Sequence, residues 1–212
     1  PEELRGKTML DAGCGNGTLT AALSSCGLGI VGLDLNDGLG RAYVNRGNYS
    51  PEAIRQVQYV QGNLVSPPLK EQSFDLIYSS GVIHHTPSSK TAFNSLARLT
   101  KQGGRLYVWV YGKRGWPVRF FFWFGRNLKN WMSLKWVMRI CQGMAPLYKL
   151  ATELLNALGI MKFRKRTTRE ITLDLFDAFT PRYNHWHTER EVRSWFEEAG
   201  FKNIHISGIQ KH

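Results

Sequence analysis

The stretch LDAGCGNGTLTAAL, Leu10 to Leu23, sets Gly13, Gly15 and Gly17 between an apolar, strand-like start and a helical pattern. A G-x-G-x-G run is a weak signal by itself, because a tight strand-to-helix turn needs glycine with or without a ligand. Two acids sharpen it. Asp34 ends the next apolar run, near the roughly 20-residue separation expected of an acid that bonds ribose hydroxyls. Asp11 stands just before the first glycine. In a dinucleotide site this turn approaches a pyrophosphate, which a carboxylate would repel at short range. A carboxylate here suits a cation. S-adenosylmethionine carries an ammonium and a sulfonium and no phosphate, so the pattern points to it. A second set of groups could move a proton. His84 and His85 follow the run FDLIYSSG, and His185 and His187 lie in PRYNHWHT with Arg182, Tyr183 and Trp186. Imidazole titrates near neutrality, which makes each histidine a candidate general base. The plainer reading of His84 and His85 is packing at a helix entrance.

The elements that must position these groups are legible from periodicity. Thr8–Leu10 reads as a strand ending at Asp11, followed by the glycine turn and a helix over about Leu19–Ser25. Ile30–Asp34 is a buried strand, the segment containing Pro51 is expected to be helical, and VQYVQGNL supplies a third strand. Phe74–Ser79 is a fourth strand, and Ser88 or Ser89 can cap a helix over Lys90–Thr100 that Gly103-Gly104 stops. RLYVWVYG is a fifth strand. Thr188 and Glu191 have capping-box spacing for a helix running to Ala199, and Asn203–Gly208 is a sixth strand. Strands alternating with helices predict an α/β fold, a doubly wound parallel sheet. Ligand sites in such sheets form at the carboxyl edge, where PRYNHWHT is expected to return.

Charge marks a separate piece. Gly112–Arg169 holds 13 of the 28 Lys and Arg residues, one of the 16 acids, Glu153, and four of the seven tryptophans, so it carries the whole net charge of +12. Leu128, Trp131, Met132, Leu134, Val137, Met138 and Cys141 recur there at helical spacing, with Lys129, Ser133 and Arg139 between them. Two or three amphipathic helices are expected. A connection this long is usually a functional element. It reads as a lid walling an acceptor pocket, a membrane-surface element, a nucleic-acid surface or a plain packing subdomain. The chain thus divides into a core over 1–111, an insert over 112–180 and a terminal helix and strand over 181–212. Three dispersed cysteines, Cys14, Cys26 and Cys141, argue against a disulfide scaffold or zinc site and fit a reducing cytoplasm. Cys14 reads as a small apolar turn residue. No metal-ligating cluster is apparent, and no run of 18 apolar residues suggests a membrane span.

LDAGCGNG, VGLDLN, FDLIYSSGVIHH and KQGGRLYVWVYG, in that order, resemble the class I S-adenosylmethionine-dependent methyltransferases, more narrowly their small-molecule-type (methyltransferase type 11-like) branch. The match covers Lys7 to Gly112 well and the final helix and strand more loosely. The resemblance implies a Rossmann-like sheet with a helical insert after strand five. It implies that Asp11, Gly13, Cys14 and Gly15 border the methionine part of the cofactor and that Asp34 takes both ribose hydroxyls. Leu35 would lie against the adenine, and Asn63, with Leu64, stands where the family often has an Asp contacting the adenine amino group. Ser79, Ser80 and Gly81 would approach the methionine end. The Asn/Asp-Pro-Pro-aromatic signature of amino-directed nucleic-acid methyltransferases is absent after strand four, and His84 and His85 stand in its place.

The function expected is methyl transfer to a small organic acceptor, with the insert and Arg182, Tyr183 and Trp186 shaping the acceptor pocket. RNA, or a membrane-associated lipid or quinone, is the alternative acceptor through the basic insert. A non-catalytic S-adenosylmethionine-binding protein is a further alternative. The family's helix before strand one and its seventh strand are not visible, and a chain that begins with Pro1 is expected to be a trimmed piece of a longer protein.

Overall fold

In a computed structural model, residues 2–47, 51, 55–113, 115–128, 130–160 and 162–207 are described. They form two compact units, Pro1–Tyr111 with His185–Ile204 and Gly112–Asn184 with His205–His212.

The first unit is a parallel sheet of five strands: β1 (Thr8–Ala12), β2 (Gly29–Asp34), β3 (Val57–Gln61), β4 (Phe74–Ser80) and β5 (Thr100–Trp109), in the order β3-β2-β1-β4-β5. The helices described with it are α1 (Thr18–Leu23), α2 (Leu39–Arg46), α3 (Ser89–Leu99) and α7 (Glu189–Glu198). Neighbouring residues of β1 show why both faces are covered. Leu10 packs with Phe93, Leu96 and Leu99 of α3 and Trp195 of α7, whereas Met9 packs with Leu28, Ile30 and Leu23 of α1. The strand order reverses between β1 and β4, so a crevice opens at their carboxyl ends.

Hydroxyl side chains fix where the helices start. Ser88 caps α3 by accepting from the Thr91 N–H, and Thr188 caps α7 by accepting from the Glu191 N–H. Two expectations need correction here. The fifth strand starts at Thr100, directly after α3, so Gly103-Gly104 lies inside the strand rather than ahead of it. Phe74 pairs with Thr100 but Leu76 pairs with Arg105, and the residues between bulge out of the ladder through Gly103 at φ +76°. The sixth strand does not form over residues 203–207; Gly208 lies outside the described residues. Its residues alternate in burial, but Asn203 holds a turn conformation at φ +56° and no ladder partner meets them among the described residues. Most of the segment expected to be helical around Pro51, including 48–50 and 52–54, also lies outside the described residues.

The second unit is helical: α4 (Trp116–Leu128), α5 (Leu134–Ala157) and α6 (Thr168–Phe179). Val137, Cys141 and Ala145, one stripe of α5, bury against Ile171, Leu175, Ala178 and Phe179 of α6. A full capping box, Thr167 with Glu170, opens α6. No helix among the described residues is long and apolar enough to cross a membrane.

Candidate functional site

The chain leaves β1 into the glycine turn at the point where the sheet order reverses. Gly13 has φ +90°, and a Cβ there would lie 2.3 Å from the Val82 side chain. Only glycine lets the turn after β1 touch the turn after β4. Gly13 and Cys14 donate their N–H groups to the Leu33 carbonyl at 2.7 and 3.1 Å, tying the turn to β2. Gly15, at φ +55°, has open space where a Cβ would project. Its N–H donates to Asp34 Oδ2 at 2.8 Å, while Asp34 Oδ1 accepts from the Asn36 N–H at 3.0 Å.

Asp11 is buried beneath this turn, at 4% exposure, and accepts from the Thr20 hydroxyl at 2.6 Å. Burial pushes its carboxyl above the usual range, the Thr20 hydrogen bond opposes that, and the negative charge of Asp34 pushes the same way as burial. The two acids therefore repel each other across the turn. Burial and both acids push the Cys14 thiol up to about 12, which keeps it an inert apolar filler. Leu35 is 66% exposed beyond Asp34. Asn63 spends one lone pair of its carbonyl oxygen on the Val65 N–H at 2.9 Å, and Leu64 is buried in the core. Ser79 is buried with its hydroxyl donated to the Ala12 carbonyl, whereas Ser80 is exposed. Gly81, at φ +76°, donates its N–H to the Trp109 carbonyl, and the Trp109 ring lies over it.

The histidines separate into distinct environments. His84 is fully buried, its ring centroid 4.0 Å from that of Tyr111, and neither ring nitrogen has a hydrogen-bond partner among the described residues. Burial, followed by the nearby imidazoles of His85, His187 and His185, pushes its pKa down to about 2. Such a ring is too weak a base to accept a substrate proton at neutral pH. His187 is occupied at both nitrogens: Nδ1 meets Glu191 Oε1 and Nε2 meets Ser89 Oγ, each at 2.9 Å. His185 Nε2 meets the Thr86 carbonyl at 3.0 Å. Backbone bonds reinforce this clasp, His185 N–H to the His84 carbonyl and His187 N–H to the Tyr111 carbonyl. Both histidines of the PRYNHWHT loop thus pin the returning chain to the segments that follow β4 and β5. His85, half-buried on the turn Ile83–His85, stays a candidate base.

Trp186 lies in the first unit with its ring centroid 5.5 Å from Tyr111, and Tyr111 in turn is 5.6 Å from Trp109. Arg182 and Tyr183 fall in the second unit, where the guanidinium rests over the Tyr183 ring. Ser89 and Glu191 were singled out from the sequence only as capping residues, and Thr20, Trp109 and Tyr111 not at all. Only the last two carried a signal, as alternate aromatics at the carboxyl end of a strand.

A family described as "Methyltransferase domain" matches residues 10–108. The glycine turn, both acids, β4 and its following turn, and most of β5 lie inside that match. Residues 10–108, just under half of the chain, form a methyltransferase domain of the class I S-adenosylmethionine-dependent type. The sterol 24-C-methyltransferase of Pneumocystis carinii is 34% identical over 111 residues, half of this chain and 28% of that protein. The demethylmenaquinone methyltransferase of Lactococcus lactis is 30% identical over 107 residues, 49% of this chain and 42% of that protein. The ubiquinone biosynthesis O-methyltransferase of Salmonella arizonae is 29% identical over 207 residues, 97% of this chain and 66% of that protein. The chain therefore spans between 28% and 66% of these relatives' length. The crystal structure of BH2331 from Bacillus halodurans C-125 shares the fold, with a TM-score of 0.55 at 18% identity over 92% of this chain and 63% of that one.

The residues present fit the cofactor of this methyltransferase family. Asp11 and Asp34 repel each other across the turn. A ligand with an ammonium and a sulfonium relieves that repulsion, and one with a pyrophosphate would add to it.

Proposed function

We propose that the chain is the methyl-transferring core of an enzyme that binds S-adenosylmethionine at the β1 turn and methylates a hydroxyl on a small, apolar ring compound of the quinone-precursor class. Asp11, Gly13, Cys14 and Gly15 border the methionine part, Asp34 the ribose, Leu35, Asn63 and Leu64 the adenine. Ser80 and Gly81 close the methionine end, with Ser79 bracing the turn through Ala12. When bound, the sulfonium supplies a methyl group already activated for in-line displacement. The protein's own task is alignment. Trp109, Tyr111 and Trp186 form an aromatic wall beside Gly81 on which a flat ring can stack. His85 is the group proposed to hold or take the acceptor's proton.

The observation that carries the acceptor class is the extent of one similarity. A match covering 97% of the chain must run through the helical insert as well as the core, and it is to an enzyme named for O-methylation in ubiquinone biosynthesis. Incubation with S-adenosylmethionine and a panel of catechols and prenylated phenols, read by mass spectrometry, tests the proposal. A methyl ether is expected, and His85→Ala should lower kcat by about a hundredfold with KM little changed. A chain that binds S-adenosylhomocysteine but methylates none of the panel contradicts the acceptor class.

A further inference from the structure

The helical unit leaves unusual surface uncovered. α4 packs Phe121, Phe122 and Gly125 against Phe179 of α6. Its opposite stripe is no solvated polar face. Trp116, Phe120 and Trp123 stack in a ladder with centroids 5.6 and 5.7 Å apart, and the two tryptophans are 73% and 53% exposed. Phe124 is exposed beside them and Arg119 flanks them. α5 repeats the feature with aliphatics: Leu147, Leu150 and Leu154 recur at helical spacing and all are more than half exposed. A helix apolar on both sides is stable only where something other than water covers the outer side.

Charge says what covers it. The segment holding these helices has 13 Lys and Arg against one acid. Cations alternating with Trp, Phe and Leu suit the boundary of an anionic bilayer, where rings and aliphatic chains enter the acyl region and cations meet headgroups. A polyanion such as RNA would use the cations and could stack on the rings, but would leave the leucine stripe without a partner. We propose that the exposed faces of α4 and α5 dock on an anionic lipid surface. The inference does not depend on which acceptor is methylated. If the acceptor is a quinone precursor, which rests on the reading above, the same surface would deliver it from the membrane.

The test is co-sedimentation of the 212-residue chain with phosphatidylcholine vesicles, with and without phosphatidylglycerol. Binding is expected only with the anionic lipid and should weaken as salt rises. Trp116→Ser, Phe120→Ser and Trp123→Ser combined should lower partitioning by about tenfold or more, leaving the packed face of α4 and S-adenosylhomocysteine binding intact. Arg119→Glu with Lys135→Glu, both at exposed positions, should weaken it separately. Four results would overturn the proposal. They are no vesicle binding, binding unchanged by either variant, a stable dimer in light scattering that the serine variant dissolves, and salt-sensitive RNA binding tighter than vesicle binding.

Discussion

Asp11 and Asp34 give the β1 turn its chemical character, and both stood out in the sequence because their spacing from the glycines is local. What faces them did not. Thr20, which bonds Asp11, depends on the phase of α1, and Thr86 and Ser89, which meet His185 and His187, lie almost a hundred residues away in sequence. Identical residue types therefore read alike in the sequence and differ in the fold: His187 braces a loop while His84 sits among aromatic rings without a partner among the described residues. His84 carries a pH prediction. Its folded pKa, about 2, lies below the ordinary 6.5, so across that window the unfolded chain binds the extra proton and acid favours unfolding. Stability should fall as pH drops from 6.5 toward the carboxylate range. His84→Leu should flatten that limb in urea titrations, and equal slopes for both proteins would refute the assignment.

At the scale of elements, strands β1 to β4 followed from apolar runs, and two helix starts followed from hydroxyl caps. The errors came where tertiary pairing decides. A Gly-Gly pair that reads as a helix stop instead supplies the bulge of β5, and an alternating run at 203–207 has no ladder partner among the described residues because alternation does not provide a neighbour. The capping box that opens α6, Thr167 with Glu170, was not among the helix starts read from the sequence. Packing within the helical unit gives a sharper prediction. Gly125→Ala would normally stabilise a helix by roughly 1 kcal/mol. Here the new methyl would lie 2.4 Å from the buried Phe179 ring, and overpacking costs about 1–3 kcal/mol. The variant should be less stable in urea denaturation; a gain would show that Phe179 yields easily.

Over the whole molecule, net charge and exposed apolar area concentrate in the helical unit, while the first unit carries the two-carboxylate turn. That division was visible in the sequence as a charge asymmetry. The outward direction of the aromatic stripe of α4 was not, since periodicity marks a stripe without saying what covers it. The central claim is that the turn selects a phosphate-free nucleoside that bears an ammonium group. Calorimetric titration with S-adenosylhomocysteine, beside NADH and an Asp34→Ala variant, tests it most directly. Micromolar binding of S-adenosylhomocysteine that the variant loses, with no heat from NADH, is the predicted result. A folded chain that ignores S-adenosylhomocysteine, or binds NADH as well, would contradict the account.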